Sequence, residues 1–164
     1  MKLVRVSIVF LVAVSVLLGA MALAAENVTI AYIGASTNLP FWITLREAAR
    51  EKAKELGVNF LDLTPPQLDA QAQKDAFDNA LQQKVSGIII GAADNRALGD
   101  SLDKAQAMGI PVVAVDTGID HPWIASLVQT DNLASARIAG QYILEHMRKP
   151  GKVLIVGGIL GHQT

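Results

Sequence analysis

Short β-branched runs alternate with amphipathic helical stretches from Asn27 to Gly157, with Gly, Pro or Asp at the junctions. No other feature of the chain restricts its fold so strongly. Asn27–Ile33 reads as a buried strand ended by Gly34, and Pro40 follows where a helix can accept it in its first turn. In Phe41–Leu56 the positions Leu45, Ala48, Ala49, Ala53 and Leu56 recur at helical spacing. Arg46, Arg50, Lys52 and Lys54 take the wet side, and Gly57 supplies a left-handed stop. Val58–Leu63 is a second strand ended by Pro65-Pro66, and Asp69–Lys84 a second helix with Ala72, Ala76, Phe77, Ala80 and Leu81 inward. Ser86–Ile90 is apolar on both faces, as a central parallel strand should be. Arg96–Met108 is a third helix with Leu98, Leu102, Ala105 and Met108 inward. Strands at Pro111–Val115 and Trp123–Val128, a helix at Asn132–Arg148 and a sixth strand at Lys152–Gly157 complete the series. Such alternation with short connections specifies an α/β fold, a parallel sheet with flanking crossover helices.

The chain has 164 residues, of which 51% are apolar. Nineteen of those apolar side chains fall in residues 1–24, so the remainder has ordinary soluble composition. Met1–Arg5 is a short basic region, Val6–Leu18 a nearly unbroken apolar run, and Ala22-Leu23-Ala24 offers small residues where a signal peptidase reads them. This is the layout of a cleaved secretory signal peptide over residues 1–24. A retained membrane anchor is the alternative, since Val6–Ala25 is long enough to span a bilayer. Beyond residue 24, twelve basic residues stand against fifteen acidic ones, a net of −3. That balance lacks the basic face a nucleic-acid partner needs. The absence of cysteine rules out a disulfide framework, a thiolate metal site, a cysteine nucleophile and a lipid-modified N-terminal cysteine. An export leader without a lipid-anchor cysteine fits the periplasm of a two-membrane bacterium.

Parallel sheets bind ligands outside the carboxyl ends of their strands. Those ends carry Ser36, Thr37, Asn38, Phe41 and Trp42 after the first strand, and Asp94 and Asn95 after the third. Asp116 and Thr117 follow the fourth, and Gln129–Asn132 the fifth. Amides and carboxylates can pair with hydroxyls that both donate and accept, and an aromatic ring can cover an apolar C–H face. Asn38, Trp42, Asp94 and Asp116 therefore suit a sugar. Several of the strand-end residues also have a plainer reading: Phe41 and Trp42 as core residues of the helix, Asp94 and Asp131-Asn132 as helix caps, Asp116 as a cap or turn residue. No histidine is expected near Ser36 or Thr37, so no hydrolytic set is legible. His121, His146 and His162 lack metal-ligand spacing, and neither a metal nor an organic cofactor is expected. The glycines from Gly157 to Gly161 lack the Lys-Ser/Thr of a phosphate loop.

The stretches Thr29–Trp42, Gly87–Asp94, Gly109–Asp116 and Thr130–Asn132, in that order, resemble the type I periplasmic sugar-binding proteins of ABC importers, the ribose- and allose-binding group above all. The resemblance implies a three-layer α/β/α lobe over residues 25–128, a first hinge crossing at 129–132 through Thr130, Asp131 and Asn132, and an incomplete start of a second lobe at 133–164. It implies a monosaccharide or related polyol as ligand and an inner-membrane permease as partner, with no catalysis. Phe41 and Trp42 inherit the stacking role, Asn38 and Asp94 polar contacts, and Asp116 the carboxylate on the ring hydroxyls. Thr117 stands where ribose binders carry an arginine, and Leu39 where they carry a second asparagine; both changes remove polar contacts. The resemblance implies about twice this length, so the chain would hold one wall of the cleft. A periplasmic sensory domain of the same fold, or a truncated product without independent function, are the alternatives.

Overall fold

The structure, a computed structural model, describes residues 28–147 and 151–156. The expected leader, Gly157–Gly161 and His162 lie outside the described residues. Among the described residues five strands and four helices follow one another, alternating up to β4: β1 (Thr29–Ile33), α1 (Pro40–Leu56), β2 (Asn59–Asp62), α2 (Ala70–Gln82), β3 (Gly87–Ile90), α3 (Gly99–Ala107), β4 (Val112–Val115), then β5 (Ile124–Val128) directly and α4 (Asn132–His146). All strand pairs are parallel, in the order β2-β1-β3-β4-β5.

That order places a topological switch between β1 and β3. The chain moves outward from β1 to β2, then crosses back over β1 to β3. Because such crossovers are right-handed, helices before and after the switch must lie on opposite faces. The packing shows this directly. Ala31 and Ile33 of β1, Ile88 and Ile90 of β3, and Val112 of β4 pack under Phe77, Ala80 and Leu81 of α2 and Leu98, Leu102 and Ala105 by α3. On the other face Trp42 and Leu45 of α1 pack with Ala35, Ile89 and Val115. The strand period of two thus divides one apolar sequence between two cores. Each large side chain buried in this way contributes about 1.5–3 kcal/mol.

Helix ends follow local chemistry. Pro40 opens α1, and Gly57 closes it at φ 67°, its N–H returning to the carbonyls of Ala53 and Lys54. Asp69 caps α2 through the Ala72 N–H at 2.8 Å. α3 begins at Gly99 rather than the expected Arg96, because Asp94 folds residues 94–97 into their own turn first.

Several sequence expectations are corrected here. Ala48, Leu56 and Met108 are exposed rather than inward. Arg46 leaves the wet side, lying 20% exposed against Asp62 at 3.6 Å. The sixth strand does not form over the described part of Lys152–Gly157; residues 151–156 pair with no strand and are exposed. α4 likewise buries no residue, leaving Leu133, Ile138, Tyr142 and Leu144 in solvent. Among the described residues nothing packs over these two segments, so neither helix propensity nor β-branching has a core to serve.

Candidate functional site

The carboxyl edges of β1, β3 and β4 come together at the switch, and the loops leaving them diverge there. Two side chains, one from each helical layer, fill the gap. From α1 comes Trp42, 6% exposed, packed with Ala35 beyond β1 and Val115 at the end of β4. A Cβ placed on Gly91, just beyond β3, would run into its ring, so Trp42 touches all three strand ends. From α2 comes Gln73, 1% exposed. Its Nε2 donates to the carbonyls of Gly34 (3.1 Å) and Gly91 (2.7 Å), and its Oε1 accepts from the Ala93 N–H (2.7 Å). The apolar periodicity of α2 does not by itself single out Gln73. The available signal was its place one turn before Phe77 on the inward stripe, where a polar side chain needs partners.

The expected site residues all lie along this edge. Phe41 is 53% exposed and meets Trp42 edge-on, ring centroids 5.0 Å apart. The aromatic pair is thus divided: Trp42 fits the plainer core reading, and Phe41 is the ring offered to solvent. Asn38 is exposed, and its Nδ2 donates to the Pro66 carbonyl at 3.0 Å. Its own N–H donates to Ser36 Oγ at 3.1 Å, so its loop is fastened to the segment after β2. Asp94 is exposed, with Oδ1 accepting from the N–H groups of Arg96 (2.8 Å) and Ala97 (3.0 Å). It is a turn cap whose second oxygen has no hydrogen bond among the described residues. Asp131 caps α4 through Ala134 N–H at 2.8 Å. Thr130, Asp131 and Asn132 line a shallow concavity of about 400 Å³ with Gln129 and Leu133.

Asp116 is the outlier. Its φ is 65°, in the left-handed region that side chains avoid. The Thr117 N–H donates to the Val115 carbonyl across it at 2.8 Å, which makes a three-residue γ-turn of the strained positive-φ kind. Its backbone N–H donates to the Val128 carbonyl of β5 at 2.9 Å, yet its half-buried carboxylate has no partner among the described residues. Beside it Thr117 is 1% exposed with Oγ1 unpaired. Tyr32 Oη is the other such buried oxygen among the described residues. Burial, with Asp62 nearby, drives its phenol well above the usual range against the pull of Arg46, so it stays neutral.

A larger concavity, about 470 Å³, lies between α2 and α3 and is lined by Leu81, Lys84, Lys104 and Met108. These are the carboxyl-terminal ends of two crossover helices, hence at the amino edge of the sheet. It is remote from the residues of the carboxyl edge.

The sequence profile of the periplasmic binding protein domain matches residues 30–164. The chain belongs to that family. As a periplasmic binding protein domain it is similar to the ribose import binding protein of Escherichia coli strain K12, 29% identical over 156 residues, covering 94% of this chain and 51% of the relative. It is also similar to the ribose import binding protein of Bacillus subtilis strain 168, 27% identical over 136 residues, covering 83% of this chain and 44% of the relative. Among solved structures it resembles a carbohydrate transporter solute-binding protein from Agrobacterium radiobacter in complex with D-arabinose. The TM-score is 0.65 at 31% identity, covering 72% of this chain and 40% of that one. The chain therefore spans about half the length of the curated relatives it matches.

Proposed function

We propose that this periplasmic binding protein domain forms one wall of the ligand cleft of a sugar ABC importer's solute-binding protein, taking a monosaccharide or related polyol. The observation that carries the reading is Asp116. A carboxylate with no partner among the described residues is held in a strained turn at the carboxyl end of β4, where a fold with no use for it would place Gly or Asn. Such a carboxylate accepts from adjacent ring hydroxyls as a charge-assisted pair. Phe41 supplies an exposed ring for the C–H face, Asn38 and Asp94 stand on the flanking loops, and the Trp42 ring acts as the floor that holds the three strand ends. The names of the relatives, ribose import proteins and a D-arabinose complex, support the ligand class. In this reading residues 129–132 are the first hinge crossing, closure about it traps the sugar, and an inner-membrane permease receives it. The protein works in the periplasm after removal of residues 1–24, by binding rather than turnover.

The test is a thermal-shift and calorimetric screen of the longest form the gene encodes against pentoses, hexoses and polyols. A true ligand at a hundred times its Kd stabilises by about 2.7 kcal/mol. The expected result is one family of stereochemically related sugars raising the melting temperature. No shift with any member of the panel overturns the reading.

A further inference from the structure

At the switch point the β1 and β3 ladders end at the same level, and their loops part in opposite directions. Backbone groups just past that point are buried without a strand to pair with. Gly34, Ala35, Gly91 and Ala92 are all buried. The last backbone bond between the two strands is Gly91 N–H to the Ile33 carbonyl at 3.0 Å. Beyond it, the Gln73 carboxamide takes over the ladder's work, donating to one carbonyl on each side and accepting from Ala93. Every directional group of the amide is engaged inward, with both N–H donors and the oxygen in use. The orientation is also forced: a flipped amide would set its oxygen against two carbonyls.

The three bonded atoms stand next to the ligand-facing residues. Ala93 immediately precedes Asp94, and Gly34 opens the short loop that carries Asn38 and leads into Phe41. We propose that Gln73 is a positioning residue: its buried carboxamide clamps the diverging ends of β1 and β3 and thereby fixes the separation of the Asn38 and Asp94 loops across the cleft floor. It touches no ligand itself. The clamp rests on geometry alone, while its consequence for sugar selection rests on the function proposed above.

The experiment compares wild type with Gln73→Leu and the more pliable Gln73→Met, in the longest form the gene encodes. Residue-resolved amide hydrogen exchange and sugar titration are both measured at a temperature where each variant is folded. The amides of Ala93, Arg96 and Ala97 are expected to lose at least tenfold more protection than those of Leu102 and Ile88, which report the general loss of stability. The Kd of the best monosaccharide is expected to rise at least tenfold, and the preference between the two best ligands to change. A merely structural role would lower protection evenly and leave the preference unmoved; either outcome overturns the proposal. If neither variant folds, wild-type exchange decides: Ala93 must be as protected as Leu102, and local opening at Ala93 alone refutes the clamp. If wild type binds no sugar, the proposed function fails, and the exchange comparison still judges the clamp.

Discussion

Replacing Asp116 separates what the fold needs from what a ligand needs. A side chain at φ 65° costs about 1–2 kcal/mol relative to the right-handed or extended regions. Aspartate recovers part of that cost, since its short polar side chain tolerates the left-handed region. Asp116→Gly removes the strain but gives the unfolded chain more freedom, a loss of about 0.5–1 kcal/mol. No hydrogen bond of the carboxylate is lost, because it has none among the described residues, and the backbone bonds to Val115 and Val128 remain. The net change is therefore a gain of up to about 1 kcal/mol. Asp116→Ala keeps the strain and loses aspartate's tolerance, a cost of about 0.5–1 kcal/mol. The expected order of stability is Gly, then wild type, then Ala, with a total spread of about 1–2 kcal/mol. In melting temperature that is about 4 °C per kcal/mol for a domain of this size. Calorimetry or urea unfolding of the three proteins measures it. Sugar affinity should fall sharply in both variants, because a charge-assisted partner is gone. If Asp116→Gly proves less stable than wild type, the carboxylate serves the fold; if it is no more stable than Asp116→Ala, the argument from strain is refuted.

Other perturbations probe the same edge. Gly91→Ala drives a methyl group into the Trp42 ring and should cost about 1–3 kcal/mol in urea unfolding, as overpacking does. Phe41→Ala should cost under about 1 kcal/mol of stability yet weaken sugar binding, whereas Trp42→Ala should cost about 3–5 kcal/mol, so paired unfolding and binding curves distinguish platform from floor. Asp78 is opposed by burial, but hydrogen bonds from Ser101 (2.8 Å), Lys74 and Lys104 outweigh this and lower its pKa below 3.8. A carboxylate whose folded pKa is lowered stabilises above its unfolded value and loses that contribution as pH falls through the folded one. Ser101→Ala should therefore narrow the stability gap between pH 6 and pH 3, read by unfolding at both values.

How much of this edge was legible depends on what each signal measures. Alternation of period-two and period-3.6 segments records burial within one element, and it placed every strand and helix whose partner is present among the described residues. It failed at Lys152–Gly157 for a reason outside that segment: a β-branched run becomes a strand only beside another strand. The aromatic pair shows a finer limit. Phe41 and Trp42 sit 100° apart on α1, and the apolar set Leu45, Ala48, Ala49, Ala53 and Leu56 spans enough of the helix to bury either. The structure uses the line Trp42, Leu45, Ala49, Ala53 and leaves Phe41, Ala48 and Leu56 outside. What fixes that rotation is the space over Gly91, a vacancy on another element that no pattern within α1 reports.

The same distinction explains why Asp94 and Asp131 carry less information than Asp116. An Asp before a helix has a local use, and in both cases the structure shows that use: Oδ1 accepts from Ala97 N–H in one and from Ala134 N–H in the other. Their presence would follow from capping alone. Asp116 caps nothing and bends the backbone into a region where glycine is easier. Its N–H is tied to Val128, the last residue of β5, three residues before Asp131 opens α4. A ligand that engages this carboxylate would therefore pull on the turn directly bonded to the point where the chain leaves the sheet. Among the described residues α4 buries none of its own side chains, so this bond is a direct tie between the turn and that exit. A nitroxide placed at exposed Gln129 or Leu133 should report this as a sugar-dependent change in mobility that Asp116→Gly abolishes. A label response that survives Asp116→Gly would show that the proposed hinge is driven from elsewhere.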